Sequence, residues 1–337
     1  MTTKPMAIES MTNPHSTSRH VPVTVITTCY GRNRHLYNLL ASLMNGSIKP
    51  DEVIIVNDDA DPERLAEFSL NIVQIPTTAD APSDNPSDVS TKTAFDIGHN
   101  RNLGAAHAAN DVLIFLDVDC IVAPTFIEQL SAKLQKQPKA LLMGQPRYLT
   151  RPLSERESVQ LQGGALSVSD LNELSVYNPY RDNFDDTESD PAITSQTAMK
   201  QTEDYGAFWS LCFAITREQF ERIGGFDTQY TGYGAEDTDF AFTARQLNID
   251  FYLTADVVYH QQHSVYRPPL NHLDSIVINA NRFYRKWQCW PMSGWLSPFA
   301  DMGLINWQAG QSTPIVSVRQ PSQHEIEQAH CPNAPYV

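Results

Sequence analysis

The 337-residue sequence predicts an α/β protein with a mostly parallel central sheet flanked by helices. Short apolar segments alternate with segments of helical periodicity through the first 116 residues. Polar side chains follow three of the apolar segments, a pattern typical of parallel strands that end at a ligand-binding edge. The composition, 41% hydrophobic and 19% charged, is ordinary for a globular protein. Together these observations indicate strands joined by crossover helices.

The order of the elements follows from apolar periodicity and from helix start and stop signals. Strands are predicted over residues 21–28, 52–56, 71–75 and 112–116. Helices are predicted over residues 34–43, from Pro62, and over residues 97–110, 236–249 and 273–287. The first of these helices carries leucines at helical spacing and precedes Gly46, which suits a helix end.

One folded domain accounts for most of the chain. The expected organisation is a disordered tail (1–20), a domain with two halves (21–122 and 123–300) and a C-terminal extension (301–337). The extension is rich in proline and glutamine, and we expect it to be poorly ordered. Residues 77–92 are expected to form a polar surface loop. The sequence shows no internal repeat.

The net charge of −15 argues against a protein that grips nucleic acid or an anionic bilayer, because both need a basic surface. No apolar run approaches the roughly 20 residues that span a membrane. The first 20 residues lack the apolar core of a secretory signal, so a cytoplasmic location is expected. The five cysteines are odd in number and widely spaced, which favours free thiols over a disulfide or zinc framework.

Two carboxylates, Asp117 and Asp119, follow the strand at residues 112–116. Carboxylates this close repel each other unless a divalent cation lies between them. The alternative is that they cap loop amides. His260 and His263 follow another short apolar strand, and neutral imidazoles bind manganese-like or zinc-like ions. The two histidines lie on one side only if the chain turns after His260.

The segment GGFDTQYTGYGAEDTDF, residues 224–240, is the most specific stretch of the sequence. Its glycines permit tight bends, and three acids, Glu236, Asp237 and Asp239, then fall where a helix begins. The positive end of a helix dipole explains one or two acids there. It does not explain Tyr233 between two glycines. That layout suits a ring against a sugar, with a carboxylate nearby to accept a hydroxyl proton.

Three arginines, Arg32, Arg34 and Arg101, lie near the predicted strand ends. They are suited to binding a diphosphate through bidentate hydrogen bonds, although each taken singly is also an ordinary surface charge. Two tryptophans, Trp290 and Trp295, lie beside proline and glycine. They fit either an acceptor groove or the contact of a homodimer.

These residues carry a resemblance to known families. The segments VTVITTCYGRNRHL, VIIVNDD, NRNLGAA and LIFLDVDC resemble the nucleotide-sugar half of family 2 glycosyltransferases of the GT-A fold. The segment GGFDTQYTGYGAEDTDF and the motif HQQH resemble the C-terminal half of family 7 galactosyltransferases. The resemblance covers roughly residues 22–265, and the segments occur in the family order. It implies a Rossmann-like donor-binding half (21–122) and an acceptor or catalytic half (123–300).

The resemblance also implies a UDP-sugar donor with Mn²⁺ or Mg²⁺, and roles for individual residues. Asp119 and His263 would bind the metal, with His260 at a further ligand position. Asp237 would be the base and Glu236 would contact a sugar. The donor-binding set would be Thr28, Tyr30, Arg32, Arg34, Asp58, Arg101, Asp117 and Val118. The acceptor set would be Tyr233, Gly234 and Trp290.

The hypothesis is therefore an inverting, metal-dependent glycosyltransferase that moves a sugar of the Gal, GalNAc, GlcNAc or Glc type to a hydroxyl acceptor, expected to be a saccharide. One alternative is a retaining enzyme of the same fold, resembling the polypeptide N-acetylgalactosaminyltransferases. Another is a sugar-binding protein without catalysis. A nucleotidyltransferase is disfavoured because no glycine-rich phosphate loop with a following arginine lies near the N-terminus. Tyr233 replaces the tryptophan usual in the galactosyltransferase motif, and residues 140–205 contain no segment that we can assign to either family.

Overall fold

The computed structural model describes residues 21–77, 96–179 and 198–334. The predicted tail, most of the predicted 77–92 loop and the last three residues lie outside this range. The strands are Val23–Thr28 (β1), Glu52–Val56 (β2), Ile72–Ile75 (β3), Val112–Leu116 (β4), Cys120–Val122 (β5), Leu141–Leu149 (β6), Ser175–Tyr177 (β7), Met199–Thr202 (β8), Cys212–Thr216 (β9), Phe251–His260 (β10), Val265–Tyr266 (β11), Ile305–Asn306 (β12), Val316–Ser317 (β13) and His330–Cys331 (β14).

The α-helices of the described residues are Asn33–Met44 (α1), Pro62–Leu65 (α2), Ile97–His107 (α3), Phe126–Lys136 (α4), Glu155–Gln162 (α5), Val168–Glu173 (α6), Arg217–Ile223 (α7), Glu236–Gln246 (α8), Leu273–Trp287 (α9), Ser293–Asp301 (α10) and Gln323–Ala329 (α11). Single 3₁₀ turns lie at Tyr205–Ala207 and Leu270–His272. All the helices and strands predicted from periodicity are present, with ends shifted by a few residues.

The central sheet has ten strands, eight of them in the order β3-β2-β1-β4-β9-β6-β10-β5. The pairs within β3-β2-β1-β4 are parallel, as is β6 with β10. Strand β9 runs antiparallel between β4 and β6, and β5 runs antiparallel to β10. The predicted α/β class with a mostly parallel sheet is confirmed, and antiparallel pairs are concentrated in the second half.

The first half of the sheet is covered by helices on both faces, which is why its strands are apolar throughout. Strands β1, β2 and β4 are buried along their whole length. The leucines of α1 pack on one face, and Leu103 and Ala105 of α3 pack on the other. Helix α3 lies so close to β1 that a Cβ on Gly104 would come within 2.5 Å of Ile26 Cγ2.

Aromatic side chains pack between the first half of the chain, at β4, and the second half, at β9 and α8. Phe115 of β4 stacks on Phe213 of β9, with ring centroids 4.5 Å apart, and Phe226 stacks on Phe240 of α8 at the same separation. Phe220 contacts members of both pairs. The start of α8 is therefore fixed against the strand that ends at Asp117.

The C-terminal residues form a third core of their own, so the expected poor order of the extension is wrong. Leu304 and Ile305 are buried with Leu296 and Phe299 of α10 against α9. Strand β12 pairs with β13, and β14 pairs with β11, which follows the HQQH motif. This unit carries little signal in the sequence because its strands are only two residues long. In the part of the chain that the structure describes, no helix combines the length and apolar composition needed to cross a membrane.

Candidate active site

Polar residues from three parallel strands meet at one edge of the sheet. Thr28 ends β1 beside Val56 of β2, and Ile26 lies beside Phe115 of β4. The residues that follow β2 and β4 therefore emerge at the same edge as the end of β1, as expected for carboxyl ends of parallel strands. This is the ligand-binding edge that the sequence predicts, and we call it the crevice below.

Asp119, His260 and His263 form a compact cluster at this edge. One possible ligand atom from each lies within 4.8 Å of the others. The Nε2 atom of His260 is 3.4 Å from Asp119 Oδ1, and the Nε2 atom of His263 is 3.4 Å from Asp119 Oδ2. Both histidines named by the sequence therefore meet the same aspartate, and the three side chains have the types and spacing of a metal site.

The backbone explains how residues so far apart in sequence meet. After β4, Cys120 N donates to Asp117 O in a tight turn that leads into β5. Strand β5 pairs antiparallel with the end of β10, with Cys120 opposite His260. Gln261 N donates to Asp119 O at 2.6 Å, after which the chain leaves the strand. That departure from extended geometry is the turn that the His260 and His263 spacing required.

The protonation states in this cluster suit metal ligation. Burial lowers the pKa of His260 to about 4, so its imidazole is neutral at pH 7. Burial alone would raise the pKa of Asp119, but His260, His263 and Arg32 together hold it far below its usual value. A neutral imidazole beside an ionised carboxylate is the state that binds a cation without first losing a proton.

Arg32 is the arginine that reaches this cluster. Its Nη1 lies 2.5 Å from Asp119 Oδ2, and its Nη2 lies 3.5 Å from His263 Nδ1. Arg34 turns away and donates to Leu153 O at 2.7 Å. Arg101 is 3% exposed, and its Nη2 bonds Asp117 Oδ1 at 2.6 Å. Arg101 thus reaches the crevice through Asp117.

Other predicted donor residues lie around the same edge. Tyr30 is 68% exposed on the loop after β1, and Val118 is buried in the turn after β4. Asp58, after β2, accepts a hydrogen bond at 2.8 Å from Thr77 N. Thr28 is buried at the end of β1. The ends of β1, β2 and β4 thus place these four residues around the same edge.

The acids at the start of α8, in the second half of the chain, lie near Arg101. Burial and the neighbouring Asp237 carboxylate raise the pKa of Glu236 to about 7. Burial also raises the pKa of Asp237, whose Oδ1 accepts a 2.7 Å bond from Thr238 N. The positive charge of Arg101 acts on both acids, which places them near the side chain that pairs with Asp117.

Two models of known families match the chain. A model described as glycosyl transferase family 2 matches residues 24–203, slightly more than half of the 337 residues. The chain belongs to glycosyl transferase family 2. A second model, described as the N-terminal domain of galactosyltransferase, matches residues 193–264. The predicted resemblance to both families is confirmed, and the family 2 match covers Asp117 and Asp119. The two matches together also cover residues 140–205, so the expectation that this segment resembles neither family is wrong.

Relatives of this family 2 chain are distant. It is 23% identical over 299 residues to validoxylamine A glucosyltransferase of Streptomyces hygroscopicus subsp. limoneus, covering 81% of this chain and 58% of that protein. It is also 23% identical over 262 residues to N-acetylglucosaminyl-diphospho-decaprenol L-rhamnosyltransferase of Mycobacterium tuberculosis H37Rv, covering 75% and 80%. The chain thus spans little more than half the length of the glucosyltransferase.

Among solved structures, GalNAc-T7 with UDP, GalNAc and Mn²⁺ is similar with a TM-score of 0.47 and 14% identity, covering 72% of this chain and 44% of that one. Staphylococcus aureus TarS 1–349 is similar with a TM-score of 0.43 and 14% identity, covering 78% and 66%.

Aromatic side chains flank the acids of this family 2 chain. Tyr233 stacks on His272 with ring centroids 4.5 Å apart and on Trp295 at 5.3 Å. A Cβ on Gly234 would lie 2.5 Å from Met292 Sδ, so the segment leading into α10 closely covers the loop. The ring of Tyr233 is thus held between aromatic neighbours just before the acids.

Trp290 and Trp295 have different surroundings. Trp290, predicted to contact the acceptor, stacks on Tyr284 with centroids 4.1 Å apart, and its Nε1 donates to Gln311 O at 2.8 Å. Trp295 lies beside Tyr233 and Gly234 instead. Of the two tryptophans, Trp295 is therefore the one that contacts the loop preceding the acids. The predicted homodimer stays a prediction.

The residues that bond Asp239, the third acid of the motif, were not predicted from the sequence. Asp239 is 2% exposed and accepts bonds from Tyr230 Oη (3.0 Å), Trp287 Nε1 (2.7 Å) and Lys286 Nζ (2.8 Å). Its position in an acidic run suggested a solvated helix start. The only sequence signal that Asp239 is buried was the basic and aromatic pair at the end of the predicted α9, Lys286 and Trp287.

The two glutamines between the histidines were missed as well. Gln261 accepts a bond from Asn38 Nδ2 at 2.8 Å and donates to His35 O at 3.1 Å, both on α1. Gln262 Nε2 donates to Pro332 O at 2.9 Å and Ala334 O at 3.1 Å. Both glutamines are 3% exposed. The HQQH segment is thus fixed between α1 and the C-terminal residues.

Proposed function

We propose that the chain is a metal-dependent, inverting glycosyltransferase that moves a hexose or N-acetylhexosamine from a UDP-sugar to a hydroxyl group of a saccharide. The observation that carries this proposal is the cluster of Asp119, His260 and His263, together with the α8 acids near the Asp117–Arg101 pair. Family membership supports transfer of a sugar. The metal dependence, the UDP-sugar donor and the inverting stereochemistry are proposed from the residues of the site.

The residues of the cluster fit a divalent cation. Asp119 Oδ1 is buried and accepts no hydrogen bond among the described residues, so one carboxylate oxygen is available as a ligand. Of the two predicted ions, the imidazole nitrogens favour Mn²⁺, because Mg²⁺ sites are built almost entirely from oxygens. A cation held by these three residues would supply a Lewis acid for a diphosphate leaving group.

Two arginines lie on the donor side of the site, where a diphosphate is expected, and each is paired with a carboxylate. Arg32 lies against Asp119, and Arg101 is held by Asp117. A guanidinium suits phosphate oxygens because its donors are planar and paired. The other predicted donor contacts, from Thr28, Tyr30, Arg34, Asp58 and Val118, belong to this proposal too. They imply that residues 21–122 bind the nucleotide.

The α8 acids supply the base in this proposal. Asp237 accepts the proton of the acceptor hydroxyl, and the hydroxyl oxygen attacks the sugar from the face opposite the diphosphate. The new glycosidic bond forms as the bond to the diphosphate breaks, so the configuration inverts. Burial raises the pKa of Asp237 toward the range in which a base works well. Glu236 binds a sugar hydroxyl beside it.

Tyr233, Gly234 and Trp290 form the acceptor side, since a saccharide has flat apolar faces that pack on aromatic rings, and Trp295 stacks on the Tyr233 ring. The GalNAc-T7 structure contains UDP and Mn²⁺. These are the nucleotide and one of the two ions that we propose for this chain. We place the acceptor in residues 123–300, where all three of these residues lie.

One experiment tests the stereochemistry and the class together. The protein is incubated with Mn²⁺, UDP-sugars and saccharide acceptors, and the anomeric configuration of the product is determined by NMR. Inversion relative to the donor is expected. Retention would favour the retaining alternative, which resembles the polypeptide N-acetylgalactosaminyltransferases. No transfer and no donor hydrolysis across Gal, GalNAc, GlcNAc and Glc donors would favour a sugar-binding protein.

A further inference from the structure

The loop that leads into Glu236 and Asp237 has an unfavourable backbone. Gly232, Gly234 and Ala235 all have positive φ, of 77°, 98° and 73°. Alanine is disfavoured in this region because its Cβ approaches the backbone. Such a conformation persists only where neighbouring groups determine it.

One side chain contacts this loop at three points. Asn279 of α9 is 1% exposed, and its Nδ2 donates to Thr231 O at 3.1 Å, Tyr233 O at 3.3 Å and Gly234 O at 3.0 Å. Its partners lie 45 to 48 positions earlier in the chain. Because a carbonyl that turns away would lose its donor in a partly buried place, the amide fixes the peptide planes of the loop.

A second side chain of the same helix bonds the loop through a backbone amide. Ser275 Oγ accepts a 3.2 Å bond from Tyr233 N and donates to His272 O at 3.0 Å. A Cβ on Gly232 would lie 2.7 Å from Ser275 Cβ, so the loop rests directly on α9. The contacts of Asn279 and Ser275 therefore cover the residues immediately before the acids.

We infer that Asn279 is a positioning residue for the acid pair: its amide holds the Thr231–Ala235 loop in the conformation that aims Asp237 into the crevice. This inference rests on the proposed function for its effect on catalysis. Its structural part, control of the loop by one amide, stands independently of any activity. Neither family model reaches α9, since the matches end at residue 264.

The same helix offers a matched control. Asn281 also bonds a distant backbone segment: its Nδ2 donates to Ile315 O at 2.9 Å, and its Oδ1 accepts from Ile315 N at 2.7 Å. Residue 315 lies between β12 and β13, outside the acid loop. Asn279→Asp and Asn281→Asp each remove an amide donor from α9 and add one negative charge.

We expect Asn279→Asp to lower kcat about 100-fold, the loss typical when catalytic groups are displaced by about 1 Å. Its Mn²⁺ and UDP affinities should stay within about twofold of the parent, because the Asn279 amide bonds the loop before α8 and not Asp119, His260 or His263. Asn281→Asp should leave kcat within about twofold. Equal kcat for the two variants would overturn the inference.

Hydrogen exchange measured on the full chain separates this inference from the proposed function. Amides of residues 231–236 should exchange at least tenfold faster in Asn279→Asp than in Asn281→Asp, whether or not any acceptor is found. Unchanged exchange in this loop would overturn the inference. If Asn279→Asp does not fold, Ser275→Ala replaces it: faster exchange of the Tyr233 amide and a roughly tenfold lower kcat support the inference, and parental values for both overturn it.

Discussion

The two sides of the candidate site are built by different means. On the donor side, Thr28, Asp117 and the residues after β2 reach one edge because parallel strands in register end together. On the acid side, Glu236 and Asp237 follow a strained loop that α9 and the segment entering α10 hold through side chains. One side depends on sheet register and the other on individual long-range hydrogen bonds.

This difference has a consequence for mutational tolerance. Strand register is shared among many backbone hydrogen bonds, so single substitutions on the donor side should change ligand contacts without moving the scaffold. The loop before α8 relies on a few donors, among them Asn279 and Ser275. Substitutions there should alter catalysis more than binding. The contrast predicts a graded series of effects, largest for the acids themselves.

The largest effect is expected for Asp237→Asn. The amide keeps the shape of the side chain but cannot accept the acceptor proton, and loss of general base catalysis costs about 100 to 10,000-fold in rate. Steady-state kinetics should show the fall in kcat, with UDP and Mn²⁺ affinities unchanged. Glu236→Gln is the neighbouring control, and it should act mainly on acceptor KM.

Near-normal turnover of Asp237→Asn would remove the base assignment and leave the acid as a helix-terminus residue bonded to Thr238 N. A collapse of kcat in Glu236→Gln alone would move the base to Glu236. Glu236 is a suitable base on physical grounds, because its pKa of about 7 lies near neutral pH, where a general base works best.

The metal ligands should give the next largest effect. We expect His260→Ala and His263→Ala each to weaken Mn²⁺ binding about 100-fold, because both imidazoles lie 3.4 Å from Asp119. Isothermal titration calorimetry measures this directly. Normal affinity in either variant would remove that histidine from the ligand set.

A smaller loss of Mn²⁺ affinity, about 10-fold, is expected for Gln262→Ala. Outer residues that orient ligands typically contribute 10 to 100-fold, and Gln262 ties the HQQH segment to Pro332 and Ala334. Gln323→Ala is the control, since that glutamine bonds only within α11 among the described contacts. Equal affinities for both glutamine variants would show that the C-terminal residues do not support the site.

The smallest predicted effect concerns stability and pH. Glu236 has a pKa of about 7 in the folded protein against 4.5 ordinarily. The folded state therefore binds this proton more tightly, so ionisation destabilises the fold as pH rises from about 4.5 to about 7. Glu236→Gln should be more stable than the parent at pH 8, by on the order of 1–3 kcal/mol, and equally stable at pH 4.5. Thermal unfolding at both pH values checks this, and an equal gain at both would contradict it.

The donor side was largely predictable from sequence. Three apolar runs of strand length are followed by polar residues, at Thr28, Asn57 and Asp117. Because the carboxyl ends of parallel strands lie at the same edge of a sheet, these residues were expected to meet there. The Asp119 and His263 pairing came from the resemblance. The structure adds that β5 returns along β10 and brings His260 to the same carboxylate.

The acid side was only partly predictable. Glycines and acids in residues 224–240 signalled a site, since that combination is local. Three residues of α9 make the other contacts: Asn279 bonds the loop, and Lys286 and Trp287 bond Asp239. Each bond joins residues more than 40 positions apart, and the amphipathic pattern of α9 is already that of an ordinary helix. No periodicity distinguishes a buried asparagine that binds a loop from one that faces water.

The central claim is that the strand-end carboxylate and the two histidines bind nucleotide through a divalent cation. Calorimetric titration of UDP into the protein, with Mn²⁺ and then with excess chelator, tests it most directly. We predict at least a 100-fold loss of UDP affinity with the chelator, because without a cation Asp117 and Asp119 repel a diphosphate. We also predict that Asp119→Ala removes the dependence on Mn²⁺. Equal UDP affinity with and without Mn²⁺ would contradict the metal bridge.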